Sequence, residues 1–180
     1  MNYTAFAATK RSNFMSCKFT NTKITQYSII GAVLFAFVSA TTFAVNAQEQ
    51  NMTPLEIVKS TYEGETSEEN GRNLQAHLAP DAKWTEAAGF PYSGTYTGFD
   101  EIAKNVFARL ASEWTDYRFV PENYVADDHR VVAYGTYYGT YNATGKAFSA
   151  RVAHVWKVED GKIVKFEQFV DSAPVKEAME

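Results

Sequence analysis

The chain has 180 residues, of which 46% are hydrophobic and 15% aromatic, and its formal net charge is −4. An acidic balance argues against nucleic acid or an anionic membrane surface as a partner. Its single cysteine, Cys17, excludes an intramolecular disulfide. His77 and His129 have no partners at ligand spacing, and the sequence holds no HExxH motif or cysteine pair, so neither a metal nor a cofactor is expected.

Residues 1–47 have the order of a secretory signal peptide. They hold no acidic residue and four basic ones, an apolar segment at 28–45, and small residues at the cleavage positions of Val45-Asn46-Ala47. We expect cleavage after Ala47 and export to the periplasm or the medium. A retained membrane anchor is the alternative, although a spanning helix needs about 20 mainly apolar residues. Translation from Met15 instead of Met1 would leave a leader of more ordinary length.

Cleavage would leave a short linker at 48–52 and one domain at 53–180. That mature chain keeps 13 basic and all 21 acidic residues, so its formal charge is 13 − 21 = −8. Its length suits a single compact domain with a buried core.

Helices are predicted in the first half of the domain. Thr53 and Glu56 form a capping box around Pro54 and begin the first helix. A second helix is expected over about 68–78, and a third from Asp100 to about Glu113, where apolar residues recur at helical spacing.

The second half of the domain has the alternation and the composition of β-strands. Two short strands are predicted before the third helix, in the stretches 82–87 and SGTYTG. Long strands are expected at 117–126, 130–142, 147–158 and 162–170, separated by turn residues. Helices followed by an antiparallel meander define an α+β fold.

Two stretches carry a family resemblance: KWTEAAGFPYSGTYTGFDEIAKNVF at 83–107 and AFSARVAHVWKVEDGKIVKFEQFVD at 147–171. In this element order, the chain resembles the SnoaL-like branch of the NTF2-like superfamily over about residues 53–179. Ketosteroid isomerases belong to the same superfamily. The resemblance implies a cone of three N-terminal helices packed on a strongly curved antiparallel sheet around an apolar cavity. It also implies a homodimer formed through one face of the sheet.

Trp84 and Glu86 point to the same side of their strand because side chains alternate. By the resemblance, Glu86 takes the position of the catalytic aspartate of ketosteroid isomerases, and Tyr62 that of the tyrosine that stabilises the substrate oxyanion. The third catalytic position of that family, a protonated aspartic acid, falls on Ala153. An alanine cannot donate a hydrogen bond, so steroid isomerisation itself is not expected.

The same register assigns faces to the last strands. It directs Arg151, Ala153 and Val155 into the cavity and sends His154, with Trp156, to the opposite face, where a dimer interface is expected. The other predicted pocket residues are Trp84, Tyr138, Phe166, Gln168 and Val170.

Three functions remain open from the sequence. The first is a cofactor-free proton-transfer enzyme, an isomerase, cyclase or dehydratase, acting on a small hydrophobic carbonyl compound with Glu86 as base and Tyr62 as donor. The second is an exported, non-catalytic binder of a small hydrophobic molecule. The third is an interaction domain whose aromatic side chains fill the cavity.

Overall fold

The computed structural model describes residues 52–180, so the predicted leader, its cleavage site and nearly all of the linker lie outside the described residues. Five α-helices and one π-helix are present in this range. They are α1 Pro54–Ser60, α2 Ser67–His77, α3 Gly98–Ile102, the π-helix Ala103–Phe107, α4 Ala108–Glu113 and α5 Ala173–Met179. The α3, π and α4 segments are continuous and occupy the predicted third helix.

Six strands form one sheet in the order β2-β1-β6-β5-β4-β3. They are β1 Leu78–Glu86, β2 Gly94–Thr97, β3 Trp114–Ala126, β4 Arg130–Tyr141, β5 Ala147–Glu159 and β6 Lys162–Val170. The four long strands form the predicted antiparallel meander. The α+β class is therefore confirmed.

One strand pair differs from the expected antiparallel sheet. β1 pairs with β6 in parallel, with Trp84 opposite Phe166. A parallel pair needs a long crossover between its strands, and here β2 to β5, with the intervening helices, supply it. The pairing matters for the site because it places the first strand of the domain beside the last one.

The start of α1 shows the predicted capping box. The Glu56 backbone N–H donates to Thr53 Oγ1 at 3.3 Å, and the Thr53 backbone N–H donates to Glu56 Oε2 at 2.7 Å. These bonds satisfy backbone donors that a helix start otherwise leaves open. Ile57 and Val58 then fall on the buried side of α1.

The pairing of β3 with β4 is interrupted twice, between Thr115 and Arg118 and between Pro121 and Asn123. Such irregularities bend a strand and increase its twist. Gly135 on β4 lies opposite the second one, where a Cβ atom would be 2.1 Å from the Val120 carbonyl oxygen. Glycine is therefore required for this close approach, and the sheet bends around the helices.

The inner faces of β4 and β5 differ from those expected. On β5 the buried residues are Phe148, Ala150, Val152, His154, Trp156 and Val158, and on β4 they are Val131, Ala133, Gly135, Tyr137 and Gly139. The expected phase was one residue off on both strands, which moves every side chain to the other face. His154 and Trp156 are 3% and 1% exposed, so they do not form an outer interface.

The core lies between this inner face and the helices. In the described part of the chain, no helix has the length and apolar character needed to cross a bilayer.

Candidate functional site

A small cavity lies inside the domain, between the sheet and the helices. It leaves about 30 Å³ for the centres of water molecules, whereas one water needs about 10–15 Å³ on that measure. The lining combines aromatic side chains with five polar residues, namely Thr61, Tyr62, Glu86, His154 and Gln168, and with the hydroxyl-bearing rings of Tyr117 and Tyr137. These residues lie directly after α1 and on strands β1 and β3 to β6.

Glu86 at the end of β1 provides a carboxyl group in this apolar setting. The residue is 4% exposed, and its Oε1 accepts a hydrogen bond from the Trp84 indole N–H at 2.7 Å. Its Oε2 is buried and has no hydrogen-bond partner within residues 52–180. Burial raises the pKa of Glu86 to about 7, while the Trp84 bond acts in the opposite direction. A carboxyl with that pKa can both take up and release a proton at neutral pH.

His154 on β5 connects two tyrosines. Its Nδ1 lies 2.6 Å from Tyr62 Oη, and its Nε2 lies 2.5 Å from Tyr137 Oη. Burial lowers the pKa of His154 to about 3, so the imidazole is neutral at physiological pH. A neutral imidazole has one donor and one acceptor nitrogen.

Gln168 on β6 extends this hydrogen-bonded group. Its Oε1 accepts from the Ala87 backbone N–H at 3.2 Å, and its Nε2 donates to Tyr137 Oη at 3.2 Å. The β5–β6 register sets Gln168 directly opposite His154. Both side chains are 3% exposed, and such buried polar groups need partners to offset their desolvation.

The aromatic wall of the cavity follows from strand pairing. Trp84 stacks on Phe166 with ring centroids 3.7 Å apart, because the two residues are paired on β1 and β6. Trp156 is paired with Phe166 from the other side and meets it edge-on at 4.7 Å. The Trp156 Nε1 atom is buried and has no hydrogen-bond partner in the described range. Phe107, from the π-helix, contacts Trp84 edge-on at 5.5 Å.

The structure brings five of the predicted site residues to this cavity: Tyr62, Trp84, Glu86, Phe166 and Gln168. The other five lie elsewhere. Arg151 is exposed and pairs with Glu122, and Ala153, Val155 and Tyr138 lie on the outer face of the sheet, so their expected inward direction was wrong. Val170 is half-buried at the edge of the core and is not among the cavity residues.

The sequence interpretation placed His154 and Trp156 outside the cavity and left out six further polar or aromatic lining residues, namely Thr61, Phe90, Phe107, Tyr117, Phe119 and Tyr137. For His154 and Trp156 a signal was present in the sequence. On β5, alternate residues from Phe148 to Val158 are apolar apart from His154, whereas the intervening set contains Ser149, Arg151 and Lys157. That alternation indicates an inward His154, but the register taken from the resemblance overrode it.

No group of three His, Cys, Asp or Glu side chains within residues 52–180 is arranged to hold a metal ion. Four polar residues of the cavity hydrogen-bond to one another, namely Tyr62, Tyr137, His154 and Gln168. Glu86, with a pKa of about 7, lines the same cavity as these groups, so the site can move a proton at Glu86 and offer a hydrogen bond to an oxygen atom.

The fold, its cavity and the matched residues agree with one family. Residues 58–166 match the model of the SnoaL-like domain family, and the chain belongs to this family. The crystal structure of an NTF2-like protein from Burkholderia thailandensis E264 shares 46% identity, with a TM-score of 0.68. The alignment covers 72% of this chain and 98% of that protein. The predicted SnoaL-like and NTF2-like assignment is thus confirmed.

Two further solved structures are similar. An NTF2-like protein of unknown function from Burkholderia pseudomallei K96243 has 27% identity and a TM-score of 0.62, over 69% of this chain and 95% of that one. A protein with a ketosteroid isomerase-like fold from Catenulispora acidiphila DSM 44928, in complex with trimethylamine, has 18% identity and a TM-score of 0.57, over 71% and 93%. No functionally curated protein matches the chain. Domains of this fold often have isomerase or cyclase activity or bind ligands.

Proposed function

We propose that the protein is a cofactor-free proton-transfer enzyme, of isomerase, cyclase or dehydratase type, acting on a small carbonyl compound. One observation carries the proposal: the buried carboxyl group of Glu86, with a pKa of about 7, lines the same small cavity as the Tyr62 hydroxyl. A base of that pKa and a positioned hydrogen-bond donor are the two groups that enolisation needs.

The proposed step is balanced without any other reactant. Glu86 takes the proton from the carbon next to the carbonyl, and the electron pair of that C–H bond forms a C=C bond. The carbonyl π electrons move to oxygen, where Tyr62 donates a hydrogen bond to the developing enolate. In a β,γ-unsaturated carbonyl compound the enolate is conjugated with the neighbouring C=C bond. The oxygen electrons then re-form the C=O bond, the C=C bond moves to the α,β position, and the former β,γ π electrons take the proton back from Glu86 at the γ-carbon. This gives the conjugated isomer and restores the carboxylate.

The cavity limits the substrate to a small molecule. About 30 Å³ for the centres of waters holds two or three waters, so a polycyclic ligand would require the cavity to open. Phe107 and Tyr62 are the two half-buried rings among the lining residues. Phe107 belongs to a π-helix, a local irregularity that is frequent at functional sites. We therefore place the entrance at Phe107.

The test is exchange of the α-protons of acetone and of cyclopentanone for deuterium in D2O, followed by proton NMR. We expect exchange above the buffer rate with the wild type and a loss on the order of 100-fold with Glu86→Gln, since this is the usual contribution of a general base. Glu177→Gln on the exposed side of α5 is the matched control and should exchange like the wild type. Equal exchange by Glu86→Gln and wild type would reject Glu86 as the base.

A non-catalytic binder is the second candidate, and the aromatic wall of the cavity favours it. Trp84, Trp156 and Phe166 surround the carboxyl-bearing end of β1, which is suited to a flat apolar ligand or, when Glu86 is ionised, to a small amine. Trimethylamine, bound by the Catenulispora protein, is a suitable probe. If the protein is a carrier, native mass spectrometry should show trimethylamine retained unchanged by the wild type and lost from Glu86→Gln, which lacks the ionised carboxylate.

We further propose that the chain is exported and forms a homodimer. The export proposal rests on the signal-like order of residues 1–47 and predicts a mature N-terminus at Gln48, which the intact mass of the periplasmic protein would show.

The dimer would use the outer face of the sheet, where Phe169 is 54% and Val120 42% exposed. Sedimentation of Phe169→Asp and wild type would test this, since only the wild type should dimerise.

A further inference from the structure

We infer that a hydrogen-bond chain of fixed direction runs from the Ala87 amide through Gln168, Tyr137 and His154 to Tyr62, so that the Tyr62 hydroxyl is the terminal donor into the cavity. His154, Tyr137 and Gln168 then act as positioning residues. The inference deepens the proposed function and depends on it only for the identity of the final acceptor. The direction follows from the atoms themselves, one link at a time.

The first link fixes the amide of Gln168. A backbone N–H can only donate, and the Ala87 N–H lies 3.2 Å from the Gln168 side chain, so the oxygen of that amide must face Ala87. The amide nitrogen therefore faces Tyr137 Oη at 3.2 Å. An amide NH2 group also can only donate, and the Tyr137 oxygen is the acceptor of this bond.

The second link orients the Tyr137 hydroxyl. With its oxygen accepting from Gln168, the Tyr137 proton is directed to His154 Nε2, which lies 2.5 Å from Tyr137 Oη. The opposite arrangement would make Tyr137 accept from both Gln168 and His154. A chain in which each hydroxyl accepts once and donates once is favoured, because consecutive hydrogen bonds polarise one another.

The third link assigns the histidine tautomer. His154 is buried among aromatic rings, with Phe119 and Phe166 centroids at 4.6 and 5.0 Å, and this desolvation keeps the ring neutral. If Nε2 accepts from Tyr137, the single ring proton is on Nδ1. Nδ1–H then donates to Tyr62 Oη, 2.6 Å away.

The last link gives Tyr62 its role. Since its oxygen accepts from His154, its own proton is directed to an acceptor other than the imidazole. Tyr62 lies on the same cavity as Glu86, and a substrate carbonyl in that cavity would meet a hydroxyl that four preceding hydrogen bonds have polarised. Such cooperative strengthening is on the order of 10–30% per bond.

The direction can be measured without any substrate, by long-range proton–nitrogen NMR on protein labelled with ¹⁵N-histidine. We expect the His154 ring at pH 7 to carry its proton on Nδ1 and to show an unprotonated Nε2, with the signals assigned by their loss in His154→Gln. An Nε2–H tautomer or a doubly protonated ring in the wild type would overturn the inference.

Gln168→Met tests where the direction originates. This change removes the amide donor at similar side-chain length, so Tyr137 can accept from Nε2–H, and we expect the Nε2–H population to increase. Gln75→Met, the same change on the exposed side of α2, should leave the His154 signals unchanged. A purely structural role of Gln168 would leave the tautomer as in the wild type and would contradict the inference, whatever the deuterium-exchange assay shows.

Discussion

The Trp84 indole donates a hydrogen bond to Glu86 across the face of β1, with 2.7 Å between Nε1 and Oε1. This bond lowers the pKa of Glu86, whereas burial, the larger effect, raises it. The pKa of about 7 is therefore the balance between burial in the core and one hydrogen bond within β1. The hydrogen bond can be removed by itself, and the sign of the resulting pKa shift is predictable.

Trp84→Phe removes the N–H donor while keeping an aromatic ring next to Phe166. We expect the pKa of Glu86 to rise above 7, because the carboxylate loses the hydrogen bond that favours its charged form. Carbon NMR of the ¹³C-labelled carboxyl group would follow this titration. Trp114→Phe is the matched control: Trp114 is also buried, but its indole donates to Tyr92, so the Glu86 titration should be unchanged.

Glu86 should make folding stability depend on pH. Its folded pKa of about 7 lies above the usual 4.5, so the folded state binds more protons between these values, and stability falls as the pH rises from about 4.5 to 7. The full change corresponds to about 3 kcal/mol. Urea unfolding from pH 4.5 to 8 should show that Glu86→Gln lacks this loss. A Glu86→Gln profile parallel to that of Glu177→Gln would contradict the prediction.

His154 should act in the opposite direction. Its folded pKa of about 3 lies below the usual 6.5, so the unfolded state binds more protons, and stability falls as the pH drops below 6.5. Between pH 7.5 and 5 this loss is about 2 kcal/mol. His154→Gln should lack this loss, so its stability relative to the wild type should increase on acidification over this interval, as measured by urea unfolding.

The two effects overlap between pH 4.5 and 6.5 and have opposite signs. The wild type should therefore show a flatter pH profile in this interval than either variant, with Glu86→Gln losing stability on acidification and His154→Gln gaining it. Profiles that change in the same direction in both variants would show that the two buried groups do not titrate as the structure indicates.

The sequence predicted the fold through features that are local. The capping box at Thr53, the apolar spacing of the third helix and the turns between long strands are each set by a few adjacent residues. Trp84 and Glu86 reach the cavity together for an equally local reason. They are two positions apart on one strand, and side chains at that spacing point to the same face.

The phase of β5 also has a local signal, the alternation of its apolar and polar residues, but the register taken from the resemblance overrode it. Irregular pairing within β3 and between β5 and β6 shifts the register by one residue, and each shift exchanges the two faces of a strand. A register carried over from related proteins placed Ala153 inside and His154 outside. The parallel pairing of β1 with β6, a contact between distant parts of the chain, has no local signal.

The phase of β5 is open to a direct chemical test, because the described residues contain no cysteine. In a Cys17→Ser, Phe169→Asp background, where the proposed dimer does not cover Ala153, Ala153→Cys and Ala150→Cys place the same side chain on opposite faces of one strand. Ala150 is 3% exposed and Ala153 is half-buried on the outer face. We expect the thiol at 153 to react with a disulfide reagent in the native protein and the thiol at 150 to react only on unfolding. Faster native labelling at 150 would restore the phase in which His154 lies outside, and the hydrogen-bond chain to Tyr62 would then not exist.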